Sequence, residues 1–190
     1  ILALISAVIW LEQESRLKTK YLEMAMYLPL LLPQTGFLFG MQVLLISLKL
    51  DGLYVTLIWA HYLFVFPYIL LSLSSTWRRW DVRYEMLGAS FGFGKLKRLF
   101  RIKIPLLLLP MVASFTIGFS VSSALYLPTI FAGNGSFVTL TTEAVTLATG
   151  GSRQAAGIAA LLQMSLPLSI FLIAGLYIKV KAKNLSYFKI

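Results

Sequence analysis

The sequence predicts an all-α integral membrane protein of about five transmembrane helices, the first of them truncated. Three observations carry this. Of 190 residues, 58% are hydrophobic and only 13% charged, far from the balance of a soluble domain. Four long runs contain no Asp, Glu, Lys or Arg: Met24–Leu48, Leu53–Ser75, Ile104–Leu127 and Gln154–Ile178. The net charge of +10 comes from basic residues confined between those runs. A span needs roughly 20 apolar residues, so each run is long enough to cross with some tilt. No repeat, linker or low-complexity tract divides the chain, and we read residues 1–190 as one membrane domain.

Taken in order, Ile1–Leu11 is apolar but too short to cross. It has no basic leader region and does not begin with Met, so it reads as a truncated helix rather than a signal peptide, and the sequence as a fragment lacking its N-terminal part. The next segment, Glu12–Glu23, holds three of the 17 Lys and Arg; the turn Lys49–Gly52 holds one. Thr76–Lys103 holds eight, Pro128–Arg153 one and the tail four. This alternation puts the three basic segments, and the C-terminus, on the cytoplasmic side. The basic residues then act mainly as orientation signals, and no nucleic-acid partner is expected. Many of the 26 Phe, Tyr and Trp sit near run ends as interface anchors.

Chemistry is limited by what is missing. There is no Cys and one His, which removes thiol chemistry and His-rich or Cys-rich metal sites. No phosphate-binding lysine motif occurs, and the acids are scattered. We expect no catalytic residues, no cofactor and no metal. Within the runs, His61, Gln34 after Pro33, and a polar face of Thr116, Ser120 and Ser123 at helical spacing are candidate pathway residues, with Tyr126 beyond them. Each has a plainer reading as well: a histidine bonded to a neighbouring helix, a glutamine repairing a proline break, a small-residue packing face. Gly36 and Gly40 form a G-x-x-x-G pair that suggests close helix packing. Glu143 is the one acid of the outer connection, either a ligand or binding-protein contact or a solvated helix charge.

The most informative stretch is Trp80–Pro110. Arg83–Phe91 suits a short helix ended by Gly92 or Gly94. Leu96, Leu99, Phe100 and Ile104 follow at i, i+3, i+4 and i+8 and predict one apolar face of a second, basic helix. Pro105 then stands where a span begins. By composition alone this is an interfacial helix held by anionic membrane lipid.

The residue order resembles the EAA loop of binding-protein-dependent ABC importer permeases: E-A-A, three residues, Gly, nine residues, I-x-L-P. Ile102-Lys103-Ile104-Pro105 preceded by Phe93–Arg101 places the glycine at Gly92, with Met86, Leu87 and Gly88 at the E-A-A positions. Leu87-Gly88-Ala89-Ser90 offers a competing register with Gly88 as that glycine. The glutamate is displaced to Glu85, Leu87 and Gly88 replace the alanines, and Ile104 replaces the leucine. Ala60-His61 through Pro67-Tyr68 looks like the A-H-x-x-F-x-x-P-Y segment of the preceding span, and Tyr126–Thr129 and Thr139–Thr146 resemble the stretch that follows the loop.

The resemblance is closest to the second permease half of the thiamine and iron(III) group. It implies the type I ABC importer (MetI-like) permease fold in the cell inner membrane. It also implies a coupling loop carried by Arg83, Tyr84, Glu85, Met86, Leu87, Gly88, Gly92, Ile102 and Pro105. The partners it implies are an ABC ATPase subunit, a second permease half or subunit, and a periplasmic or tethered substrate-binding protein. Thiamine is the first-choice substrate, with iron(III) and polyamine as alternatives. An ion-coupled secondary transporter is the competing class, but its intramembrane charges are missing from all four runs.

Overall fold

The computed structural model describes residues 1–13, 20–150 and 153–186, all helix and turn. Of the basic segments read as orientation signals, Arg16, Lys18 and Lys189 lie outside the described residues, as do the side chains of Lys20 and Lys183.

The helix α5, Tyr54–Arg78, is the centre of the fold. Its C-terminal half packs Val65, Phe66, Ile69, Leu70, Leu73 and Trp77 against Ala3, Ala7, Val8 and Leu11 of α1, Leu2–Gln13. Its other half packs Ala60 and Phe64 against Leu38, Met41 and Leu45 of α4, Gln34–Ser47, and Ala132 of α10, Leu127–Gly133. A central helix buried on several sides must be apolar nearly all round, which is why this run reads so uniformly in sequence. α9, Leu108–Ala124, lies along α5. Gly118 permits the approach: a β-carbon there would overlap Ile69 and stand 3.3 Å from Val65 Cγ1. Ser114 Oγ, fully buried, lies 3.0 Å from Ser72 Oγ and 2.9 Å from the Pro110 carbonyl.

Two expected spans are broken, each at a proline. The run Met24–Leu48 divides into α2 (Lys20–Met26), α3 (Leu28–Leu31) and α4. Leu32, which precedes Pro33, is extended at φ −79°, ψ 145°, the conformation that a following proline ring imposes. Gln34 therefore opens α4 rather than lying inside a helix. The run Ile104–Leu127 is bent by 76° between Lys95–Leu106 and Leu108–Ala124. Were the helix continuous, the Pro110 ring would collide with the Leu106 carbonyl; restarting at Leu108 puts Pro110 in the first turn, where it is tolerated. Pro105 thus stands before the bend and not at the start of a span.

The expectation of about five crossings is met in part. Among the described residues, α5 and α12 (Arg153–Ser186) are long and apolar enough to cross, and the bent pair makes a third. α1 and α4 are apolar but have 12 and 14 residues. α12 is packed by α9 and by α11, Leu140–Thr149, yet leaves most of its apolar side chains, Leu161, Phe171 and Leu176 among them, exposed. Gly36 and Gly40 meet nothing within 4 Å, so the G-x-x-x-G pair makes no close helix contact within the described residues.

The connections before α5 and after α10 are latched to each other by one backbone and one side-chain hydrogen bond. The Gly52 amide donates to the Ala132 carbonyl at 3.1 Å, and Asn134, in the left-handed conformation at φ 48°, donates from its side chain to Asp51 at 3.0 Å. α11 begins with a capping box in which Thr139 and Thr142 satisfy each other's amides. Glu143 is exposed in its first turn, where a negative charge is favoured by the helix dipole.

Candidate coupling loop and transmembrane polar sites

The stretch after α5 folds as the sequence suggests at its start and differently at its end. Asp81 caps α6, Val82–Ser90, by accepting the Arg83 amide at 2.9 Å. The helix stops at Gly92, whose φ of +74° only glycine adopts freely. The Phe93 amide closes the turn on the Gly88 carbonyl at 3.0 Å. α6 has two unlike sides. Glu85 and Gly88 face the protein, whereas Val82, Tyr84, Met86, Leu87 and Phe91 stand exposed. Arg83 reaches only Asp81, at 4.0 Å, and the Tyr84 ring lies against Trp80, centroids 5.3 Å apart.

The second half of the loop departs from the expected amphipathic helix. α7, Lys95–Arg98, passes into a π-helical turn, Leu99–Lys103, and then α8, Ile104–Leu106. The Ile104 amide bonds five residues back to Leu99, a widening that accommodates Pro105, which has no amide of its own to give. Leu99 packs against the core as its spacing predicts, whereas Leu96 and Phe100, placed on the same apolar face, are 71% and 64% exposed, and Lys103 turns inward to 8%.

Lys103 is the hub of the loop. Its Nζ donates to Glu12 Oε2 at 2.7 Å and lies 3.6 Å from Glu85 Oε1. The same atom is 4.6 Å from the Trp77 ring centroid and 5.9 Å from that of Trp80. Two carboxylates and an aromatic face compensate for burying an ammonium, which would otherwise be costly. Beside it, Arg98 Nη1 donates to the Glu85 carbonyl at 3.2 Å, and a β-carbon at Gly88 would stand 2.6 Å from Ile102 Cδ1. Glu85, Gly88 and Ile102 are thus brought together. Met86, Leu87 and Gly92 point away from that contact, and Pro105 lies beyond it. Gly88 is a close-packing glycine and Gly92 a turn glycine, so the two competing registers fall on glycines with different physical duties.

The candidate pathway residues do not converge. Gln34 and Tyr126 line one cavity of about 420 Å³ with Phe64 and Tyr68. His61 lines another, about 460 Å³ and mostly apolar, between α1, α5 and α9. Ser120 and Ser123 line neither; their hydroxyls return to the Thr116 and Ser120 carbonyls at 2.9 and 3.0 Å. Sequence reasoning missed the carbonyl of Ser123, which receives Thr141 Oγ1 at 2.5 Å and Gln163 Nε2 at 2.7 Å. It is free because α9 ends one residue later, and last-turn carbonyls need outside donors. His61 bridges Ser122 Oγ (3.0 Å) and Thr129 Oγ1 (2.9 Å), joining α5, α9 and α10. This is the interhelical reading of the histidine.

Fold and loop together define a helical membrane protein whose spans are joined at one end by a capped, partly exposed helix. Over 178 residues, 94% of its length, the chain is 39% identical to the inner membrane ABC transporter permease protein YnjC of Escherichia coli (strain K12). The chain is thus a homologue of part of an inner-membrane ABC transporter permease, and spans about a third (34%) of that relative's length. No family model matches the chain, and no solved structure matches it.

Proposed function

We propose that this chain is permease sequence of an ABC importer, forming part of the translocation pathway and coupling it to a separate ATPase subunit through α6. The similarity to a permease across nearly the whole chain carries this reading. The build of α6 supports it: a coupling element has to be stiff, anchored on one side and open on the other. Asp81 and Gly92 fix its ends, Glu85 and Gly88 anchor it, and the exposed Val82, Tyr84, Met86 and Leu87, with Phe91 just beyond the helix, offer apolar contacts around Arg83 for the ATPase.

On this reading the Trp80–Lys103 loop and the C-terminus face the cytoplasm. A second permease half and a periplasmic or tethered binding protein complete the importer, and the cavity of Gln34 and Tyr126 lies on the substrate's route. We assign thiamine as substrate on the likeness of the loop and its flanking spans. The test is a pull-down of the full-length protein from native membranes, with partners identified by mass spectrometry. Wild type should bring down an ATPase subunit that Gly92→Arg loses, because the side chain has room at this site but the backbone does not accept it. Recovery of no ATPase by wild type would sink the importer reading. A co-purifying binding protein whose ligand is not thiamine would overturn the substrate.

A further inference from the structure

From the geometry around Lys103 we infer that this residue is a positioning residue, the strut through which movement of α6 reaches the membrane helices. The inference rests on the coupling role proposed for α6. The nine-residue α6 is held to its own loop by the Arg98 bond to the Glu85 carbonyl and by the packing of Gly88 on Ile102. Lys103 adds the tie from α6 to the membrane helices α1 and α5. One ammonium reaches Glu85 on α6, Glu12 at the end of α1 and the ring of Trp77 at the end of α5. Lys103 itself lies two residues before Pro105, on the segment that leads through the 76° bend into α9. Four elements therefore meet at one side chain, and the π turn is what aims it inward.

Glu12 and Glu85 line a polar cleft of about 300 Å³ together with Lys95, Arg98 and Lys103. The Lys103 ammonium lies 2.7 Å from the Glu12 carboxylate and 3.6 Å from that of Glu85, and through these charge-assisted contacts it ties α6 to α1.

The experiment is amide hydrogen exchange on the full-length protein in lipid nanodiscs, comparing wild type with Lys103→Met and Lys103→Arg. Lys103→Met should speed exchange in Val82–Ser90 by about tenfold or more while α5 and α9 exchange as in wild type, and Lys103→Arg should restore most of the protection. Glu85→Gln should loosen α6 alone and Glu12→Gln the end of α1 alone. These two keep the lysine paired on one side, so they serve if Lys103→Met does not fold. Exchange in α6 unchanged in Lys103→Met, or raised equally throughout the protein, would overturn the strut. In the assembled transporter, stimulation of ATP hydrolysis by the co-purifying binding protein should fall about tenfold in Lys103→Met and return in Lys103→Arg. Loosened α6 with full stimulation would show that Lys103 holds the helix but does not transmit, and would overturn the inference. Absence of any ATPase partner would fail the importer reading instead, leaving the exchange result to judge the strut.

Discussion

The Nε2 of His61 on α5 lies 2.9 Å from the Thr129 hydroxyl on α10. Thr129 gives its own proton to the Leu125 carbonyl at 2.5 Å, so the imidazole must donate from Nε2. Its Nδ1 is then left to accept from Ser122 on α9. The ring is thereby fully bonded, a tautomer assigned from the pattern of its partners. His61→Leu should cost about 1–2 kcal/mol, the usual range for interhelical polar contacts in a membrane, and His61→Gln less. Unfolding of the full-length protein in detergent measures both. A leucine variant as stable as wild type would show that the two hydrogen bonds contribute nothing net.

Gly118 and Ile69 set the distance between α9 and α5. Gly118→Ala should destabilise by about 1–3 kcal/mol, as overpacking commonly does. Ile69→Ala alone should cost about 2–5 kcal/mol, since Ile69 is buried in the core; on that background Gly118→Ala should cost less than half of what it costs in wild type, because the Ile69 side chain is what the new methyl strikes. Additive losses in the double variant would show that the clash is not the cause.

Asp81 should matter beyond its exposure. Its side chain caps the N-terminus of α6, and Asp81→Ala should cost about 1 kcal/mol of local stability. Amides at Arg83 and Tyr84 would then exchange about fivefold faster, with Asp81→Ser restoring protection. Equal exchange in the alanine variant would mean that tertiary contacts, not the cap, hold the first turn.

The orientation read from the basic residues is checkable because this chain has no cysteine. On a background free of cysteine elsewhere, Lys97→Cys and Ser136→Cys place single thiols at exposed positions of opposite connections. An impermeant thiol reagent should label Ser136→Cys in spheroplasts and reach Lys97→Cys only after permeabilisation. The reverse pattern would invert the topology.

Much of the loop was legible in sequence. The short helix and the glycine stop are local signals, each set by residues within a turn of one another, whereas the Asp81 cap was not read. Pro33 was visible as a helix interruption, but not that it splits the run into separate helices. Lys103 was counted as one basic residue among eight, since nothing near it in sequence marks it as buried. The serines of α9 were read as a polar face, yet Ser120 and Ser123 satisfy themselves on their own helix. The residue that matters there is the Ser123 carbonyl, which no side-chain pattern encodes.

By itself the sequence determined the class of protein: helical and membrane-embedded, with a short glycine-ended helix between α5 and the next span. Hydropathy and charge act through the bilayer, which every residue meets alike, so they need no knowledge of the fold. Tertiary structure alone decided that Lys103 joins Glu12 to Glu85, that Gly118 receives Ile69, and that His61 ties three helices. Lys103 and Glu12 are 91 positions apart, and His61 and Thr129 are 68. Such pairings depend on where helices cross and which way a π turn and two proline breaks rotate them, and those angles are fixed only when the helices pack.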